Sequence, residues 1–488
     1  MDGMNRREFV LATVGGLGLV APASVLGAFS DVAAPLTAVQ KGMLVRHNVY
    51  CLNPKGRVIR SYMRAVTVMQ ARPSSDPTSW AAQAAIHGTS SPIAGMITKQ
   101  CKHGSRFFLS WHRMYLYYFE RIVRQASGDP AFALPYWGYT PTGKRSLPIP
   151  FRTPASSSNP LYESARNPSV NAGNPLSASV VDAGHALTEP TFDFFFSSSL
   201  EGTPHNVVHG AVGGLMGSIA TAARDPVFWL HHANIDRLWD VWIASGGGRT
   251  DPTDAPWLTT SYQFYDETGA VVSLTGAEVL DDARQLRYHY APDACGQGEA
   301  HGFDKAALRR LTKLVMEPRL LALGDTLSRR DSLPEPLMLA RAQAPVSLGA
   351  TAVEALLPLS ADARKALESF LQEARAGKRV AVSLEDIKVE GAAAVFYEIY
   401  VDLPAGTKDT VYTSPYYLGN LDFFGEGPLE RRFNLVPTYL RLHQLKTWTE
   451  DVARLTFVPR GFTEGEAPAE VLGARRQAVV GRVSIRIE

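Results

Sequence analysis

Apolar residues crowd the stretch Asp225 to Trp239 (DPVFWLHHANIDRLW) so closely that the pattern predicts a helix buried on most of its surface. An aspartate before a proline marks its start, because proline suits the first helical turn and aspartate caps free N–H groups. The run from Phe107 to Ser127 predicts a second buried helix. Arg57 to Arg72 has helical periodicity ended by Pro73, and Asp76-Pro77-Thr78-Ser79 caps a short helix that reaches His87 and stops at Gly88. Val45 to Gly56 reads as extended, and Cys101 to Phe107 as a loop. Residues 128–200, rich in proline, serine and asparagine, predict long connections over a helical core.

The pattern changes towards the C terminus. Ser360 to Ala376 predicts a helix ended by Gly377, and Val380–Val389, Ala394–Leu403, Val411–Tyr417 and Ala478–Ile487 read as short strands of a β-sandwich-like domain. Between the two regions, residues 300–345 carry Arg309-Arg310, Arg329-Arg330 and a proline-rich step, as an accessible linker would. The expected layout is an export signal over residues 1–28, a mainly α domain over 29–295, a linker over 296–345 and a β-rich domain over 346–488.

Composition sharpens this picture in three places. A net charge of +2 with dispersed lysine and arginine gives no reason to expect a nucleic-acid partner. At the amino terminus, Asn5-Arg6-Arg7-Glu8-Phe9 before a weakly apolar run resembles a twin-arginine export signal, which implies the Tat machinery as a partner and a periplasmic or extracellular destination. The three cysteines are too few for a disulfide framework; Cys51 and Cys295 are left either as a disulfide or as two buried thiols.

The histidines carry the chemistry. Of twelve, four fall within the 28 residues from His205 to His232, and His87, His103 and His112 lie in the segment before. In HNVVH, His205 and His209 are four apart, so a helix would present both imidazoles on one face. With few thiolates and no carboxylate at ligand spacing, an all-imidazole site favours copper or zinc. Two sets of three histidines can face each other across a four-helix bundle and hold two metal ions. A zinc hydrolase would need a catalytic carboxylate motif such as H-E-x-x-H, which the chain lacks.

The segments IHG, CKHGSRFFLSWHRMYLYYFE, TPHNVVHG and DPVFWLHHANIDRLW resemble, in order and spacing, the two copper motifs of the type-3 copper proteins: tyrosinases, catechol oxidases and hemocyanins. The resemblance covers roughly residues 40–295. It implies a dinuclear site of two copper ions, with His87, His103 and His112 on one and His205, His209 and His232 on the other. His232 is preferred to His231 because the family ligand precedes the aspartate, here Asp236, by four residues; Asp236 would then orient an imidazole or a nearby helix. His47, His185, His289, His301 and His443 lie outside the motifs.

Further expectations follow from the same likeness. Cys101-Lys102-His103 looks like an arrangement that forms a thioether between cysteine and the His103 ring. Glu201 and Asn206 match positions that hold a water to take the phenolic proton, and Ile219 falls where plant members often carry a gating phenylalanine. Tyr288-His289-Tyr290 resembles the tyrosine pair that closes the catalytic domain. The C-terminal region looks like the shielding domain of latent polyphenol oxidases, with Tyr416, Tyr417, Leu418, Phe423 and Phe424 as candidates to fill the substrate pocket. The implied function is hydroxylation of monophenols and oxidation of o-diphenols with dioxygen, released from latency by an activating protease. Diphenol oxidation alone and reversible oxygen carriage are the alternatives.

Overall fold

The computed structural model describes residues 43–140, 144–293, 295, 337–373, 380–391, 393–407, 410–425, 427–448 and 451–487. The signal expected over residues 1–28, His301 and the basic pairs of the linker lie outside them. Among the described residues no helix is long and apolar enough to cross a membrane.

The first region is helical. Its elements are α1 (Arg57–Ala71), α2 (Trp80–His87), α3 (Phe108–Ser127), α4 (Val207–Val212) and α5 (Pro226–Ala244). α1 and α5 both pack on α3, where Trp111, Tyr115, Phe119, Phe228 and Trp229 are almost fully buried; α3 and α5 are buried on most of their surface, while α1 keeps an exposed polar face with Arg57, Arg60 and Arg64. Asp225 caps α5 by accepting from Val227 N at 2.9 Å and is also gripped by the buried Arg166 at 2.7 and 2.8 Å. The expected extended stretch from Val45 is shorter than its pattern suggests: β1 (Leu44–Arg46) gives way to a tight turn at Val49–Cys51. Ser261–Tyr265 (β2) and Val271–Thr275 (β3) form a hairpin, and Tyr288–Tyr290 (β4) lies parallel to β1. Beside this closure Cys51 and Cys295 form a disulfide with Cα atoms 4.9 Å apart, which resolves the alternative the sequence leaves open.

The second region is a sandwich of two antiparallel sheets around an apolar core of its own. One sheet has the order β10 (Tyr417–Leu421), β9 (Phe396–Val401), β12 (Val452–Arg460), β7 (Val353–Pro358). The other has β11 (Leu429–Asn434), β8 (Val380–Val389), β13 (Ala478–Ile487), β5 (Leu337–Arg341), with β6 (Val346–Leu348) also paired to β13. Two expectations need correction. Leu337–Arg341, assigned to the linker, is a strand of this domain, because Leu339 and Ala340 are buried while β13 supplies its ladder partners. The strand expected over Val411–Tyr417 begins only at Tyr417: Ser414 N closes a turn on Val411 O at 2.9 Å, and Pro415 has no N–H to give a ladder.

The two regions are joined by specific contacts. Ser177 N donates to Phe462 O and Glu464 N to Pro175 O, both at 2.9 Å, so the segment after β12 runs alongside residues 175–177. Asn420 Nδ2 donates to Ser179 O at 2.8 Å, and Asn434 Nδ2 to the buried Glu189 at 3.2 Å. Burial pushes the Glu189 carboxyl up to about 7. The folded state therefore binds a proton that the unfolded chain has already lost, so stability from this group is present below the ordinary glutamate range and is lost as pH rises through about 7. Glu189→Gln is expected to remove a step of about 3 kcal/mol between pH ~4.5 and ~7, at 1.36 kcal/mol per pKa unit, in urea unfolding measured across that range. Parallel stability–pH profiles for variant and parent would show that Glu189 carries none of it.

Candidate metal centre

Four helices converge on one buried point. His87 ends α2, His112 lies in the second turn of α3, His209 in α4 and His232 in α5. His103 comes from the loop before α3, and His205 from a kinked segment, Glu201–Asn206, where Thr203 leaves helical geometry before Pro204. α2 can end where it does because Gly88 lets the chain pass against Ile219: a Cβ there would meet Ile219 O at 2.3 Å.

Local folding fixes how most of the rings point. His87 Nδ1 donates to Ile219 O at 3.1 Å, His112 Nδ1 to Phe108 O at 2.7 Å, His209 Nδ1 to Met216 O at 2.8 Å and His205 Nδ1 to Asn206 Oδ1 at 2.8 Å. A neutral imidazole that donates through Nδ1 keeps a lone pair on Nε2. The Nε2 atoms of His87, His103, His112 and His205 are buried without a protein partner, and His209 Nε2 lies 3.2 Å from His232 Nε2. Leaving that many polar atoms unpaired costs roughly 1–3 kcal/mol each, so the cluster is built to be satisfied by something it binds. Burial drives all of these imidazoles below the ordinary histidine range, His87 to about 4. Neutral imidazoles converging through Nε2, with outer nitrogens tied to carbonyls, are the donor set of a copper or zinc centre.

The donor atoms overlap more than a strict division into two threes. His205, His209, His231 and His232 form one close group, His87, His112 and His232 another, and His87, Cys101 and His103 a third, each with ligand atoms within 4.8 Å of one another. His232 thus lies between both halves, and its ring stacks on His112 with centroids 4.5 Å apart. His231 is more deeply involved than a neighbouring packing residue: it is fully buried, stacks on His205 at 5.4 Å, and its Nδ1 lies 3.2 Å from the Tyr139 hydroxyl. The motif position gave no sign of Tyr139, which comes from the irregular stretch after Trp137.

The Cys101 thiol lies in the same cluster as His87 and His103. Glu201 is buried, accepts from Gly104 N at 2.6 Å, and is pushed by burial up to about 8. Asn206 supports His205 through Oδ1 and approaches Asp422 of the second region through Nδ2 at 3.4 Å. Ile219 meets the site through its carbonyl on His87, while its side chain packs on the surrounding apolar core. Asp236 meets no imidazole among the described contacts. Instead it accepts from Tyr288 Oη at 2.6 Å, Tyr290 Oη at 2.7 Å and Arg46 at 3.3 Å, and pairs with Arg113 of α3. It therefore orders helices and chain closure, the second of the two roles the sequence allowed. Burial opposes its ionisation, but Arg113 and Arg46 outweigh this and hold the carboxyl below the usual range.

Of the five aromatic and aliphatic candidates in the second region, Phe424 reaches the histidines. Its ring stacks on His209 at 4.2 Å and 16°, and stands edge-on to His103 and His205, each at 5.8 Å. Phe423 turns back on Tyr397 at 6.0 Å, while Tyr416, Tyr417 and Leu418 pack within their own domain. Asp422 and Arg431 hold the Phe424 turn: Arg431 donates to Asp422 at 2.6 and 2.9 Å and to Phe424 O at 2.6 Å. Neither was legible as a site residue, since nothing local marks a loop for docking on a distant cavity.

Comparison with known proteins agrees with this geometry. A family model described as the common central domain of tyrosinase matches residues 77–193 and 185–245, and one for the polyphenol oxidase middle domain matches residues 251–295. Tyrosinase HcTyr1 of Hahella sp. (strain CCB-MM4) is 29% identical over 91% of this chain and 100% of its own length. The latent polyphenol oxidase of Prunus armeniaca is 33% identical over 48% of this chain; the match spans 46% of the plant protein, about half its length. In fold, the chain is similar to latent aurone synthase (TM-score 0.59, 23% identity, 92% of this chain and 89% of that one). It is equally similar to latent apple tyrosinase (TM-score 0.59, 22% identity, 91% and 97%). Residues 77–245 thus carry a tyrosinase central domain and residues 251–295 a polyphenol oxidase middle domain, the domains of a copper oxidoreductase, and the histidine clusters fit a centre of two copper ions.

Proposed function

We propose that this enzyme hydroxylates monophenols to o-diphenols and oxidises o-diphenols to o-quinones with dioxygen, and that its second domain keeps it latent. The observation that carries the reading is a ring-shaped side chain, Phe424, stacked on His209 inside a cluster of unpaired Nε2 atoms. In this reading His87, His103 and His112 hold one copper, and His205, His209 and His232 the other. Two copper ions together exchange two electrons with dioxygen. The protein's own contribution is to seat the phenol ring flat on His209, exclude water around it and take its proton. Glu201 and Asn206 hold the water that accepts this proton, and Cys101 joins the His103 ring as a thioether, with two hydrogens passing to dioxygen. His103, like His232, has no partner on its outer ring nitrogen in the structure, so a covalent tether would supply the orientation that carbonyls give His87, His112 and His209. Ile219 stands beside the pocket as a smaller gate than phenylalanine. The substrates are small phenols; the Tat machinery exports the folded chain, and a protease cutting residues 296–336 releases the cap.

Asn206→Leu is expected to lower monophenol turnover about tenfold more than diphenol turnover, since proton removal is demanded chiefly of the monophenol and a positioned acceptor contributes at least about that factor. Isotopically labelled dioxygen checks the reaction itself, one labelled atom entering the ring of a monophenol; equal loss of both activities in the variant counts against the role of Asn206. Diphenol oxidation alone is favoured by one observation, that Asn206 spends its oxygen on His205 Nδ1 and turns its amide nitrogen towards Asp422. Absence of label from the ring would establish it.

A further inference from the structure

We infer that a row of stacked aromatic rings on α3 carries one-electron oxidising equivalents away from the histidine cluster to the surface at Tyr118 and Tyr117, sparing the ligands when no phenol is oxidised; this rests on the copper-oxidase reading above. Trp111 stands edge-on to the His112 ring at 4.8 Å and also meets the His87 ring at 6.1 Å. Residues 111, 115 and 118 recur on one face of the helix, so Tyr115 follows Trp111 at 4.9 Å. Phe264 of β2 fills the gap to the next ring, with centroids 5.5 Å from Trp111, 6.1 Å from Tyr115 and 5.8 Å from Tyr118. It lies nearly parallel to both tyrosines, at 25° and 27°. Tyr118 meets Tyr117 edge-on at 5.1 Å, and Tyr117 is half-buried, so the row ends at solvent.

Aromatic rings in contact are ordinary core; the polar atoms on these rings are not. Trp111 Nε1 is buried without an acceptor, and so is Nε1 of Trp229, whose ring lies 4.7 Å from Tyr115. Two unpaired buried donors cost stability that packing alone does not require. They suit electron transfer. An indole that has given up an electron is a strong acid, but without an acceptor it keeps its proton, so the vacancy passes on instead of being trapped. Tyr115 Oη donates to Gln83 O, and a backbone carbonyl is too weak a base to take the proton. At Tyr117 water takes it, which fixes the vacancy at the surface. Each passage is balanced: Tyr117 loses one electron to the oxidised centre and its phenolic proton to water. A small reductant of the ascorbate or thiol class then restores both as a hydrogen atom. Two passages supply the two electrons otherwise drawn from substrate or from the ligands themselves.

The test loads the full chain with copper and treats it with hydrogen peroxide in the absence of any phenol. Peroxide on an oxidised copper pair stands at the same oxidation level as dioxygen on a reduced one. Samples frozen during the reaction are examined by electron paramagnetic resonance, and digested samples are weighed peptide by peptide for added oxygen. The expected result for the wild-type chain is a tyrosyl radical, with oxidation collecting on the peptide that holds Tyr117 and Tyr118. In the double variant Tyr117→Phe/Tyr118→Phe that radical is lost and oxygen added to the peptides of His103, His112 and His205 rises severalfold, while catechol oxidation by fresh enzyme is unchanged. Trp111→Phe, which keeps a ring but removes the indole, should give the same loss of radical with both surface tyrosines in place. Zinc-loaded protein should give neither radical nor added oxygen. The same radical yield and the same pattern of oxidation in parent and variants, a radical that persists with zinc, or no radical from a parent that oxidises catechol would each overturn the inference alone. A copper-loaded, linker-cut chain that leaves catechol untouched would overturn it together with the reading on which it rests.

Discussion

Asp236→Ala is expected to destabilise the copper domain by about 3–5 kcal/mol, the usual cost of removing one partner from a buried ion pair. The side chain sits where Arg46 from β1, Arg113 from α3, and Tyr288 and Tyr290 from β4 meet, so one carboxylate ties the two ends of the domain to the helix that carries His112. Arg46 keeps Glu120, which is nearer and equally buried, and Arg113 keeps the half-exposed Asp240 after the change, but Arg113 loses its most buried counter-charge. Against a total stability of 5–15 kcal/mol typical of folded domains, such a loss leaves the fold marginal at best. Guanidinium unfolding followed by tryptophan fluorescence measures it, since Trp239 lies on the same helix and Arg113 packs over its ring at 3.9 Å. A loss below about 1 kcal/mol would mean that the two tyrosine hydroxyls and the residual pairs suffice, and that Asp236 is not the organising charge.

Phe424→Gly is expected to raise catechol turnover by the uncut chain about tenfold to a hundredfold. Burying a phenylalanine side chain is worth about 1.5–3 kcal/mol, and each 1.4 kcal/mol is a factor of ten in the balance between closed and open pockets. The remaining anchors, Phe462 against α4 and the run of main-chain bonds to residues 175–177, stay in place, so the cap should remain docked while the pocket empties. Unchanged turnover would show that access is limited by those anchors and that the ring is incidental.

Much of the site was legible because helical spacing and capping are local. The Asp225 cap and the buried run behind it placed His232, and the Ser79 cap and Gly88 placed His87 at a helix end. What local pattern could not give was anything made by distant chain segments. The carbonyls of Ile219 and Met216 that fix His87 and His209 come from an irregular loop with no periodicity to read. Phe424 could not be separated from its four neighbours, because all five share an apolar stretch and only docking decides which one leaves the sandwich. The Val411–Tyr417 strand failed at Pro415, which has no N–H to give a ladder. Asp236 was placed correctly in sequence, but its partners in β1 and β4 lie far along the chain, and without them its role stayed divided between an imidazole and a helix.

The most direct test is oxygen uptake by the copper-loaded full chain with catechol and with a monophenol, before and after limited proteolysis within residues 296–336. Sustained uptake with both substrates that rises on cleavage is the predicted result. Reversible oxygen binding without turnover, even after cleavage, would contradict it and make the centre a carrier.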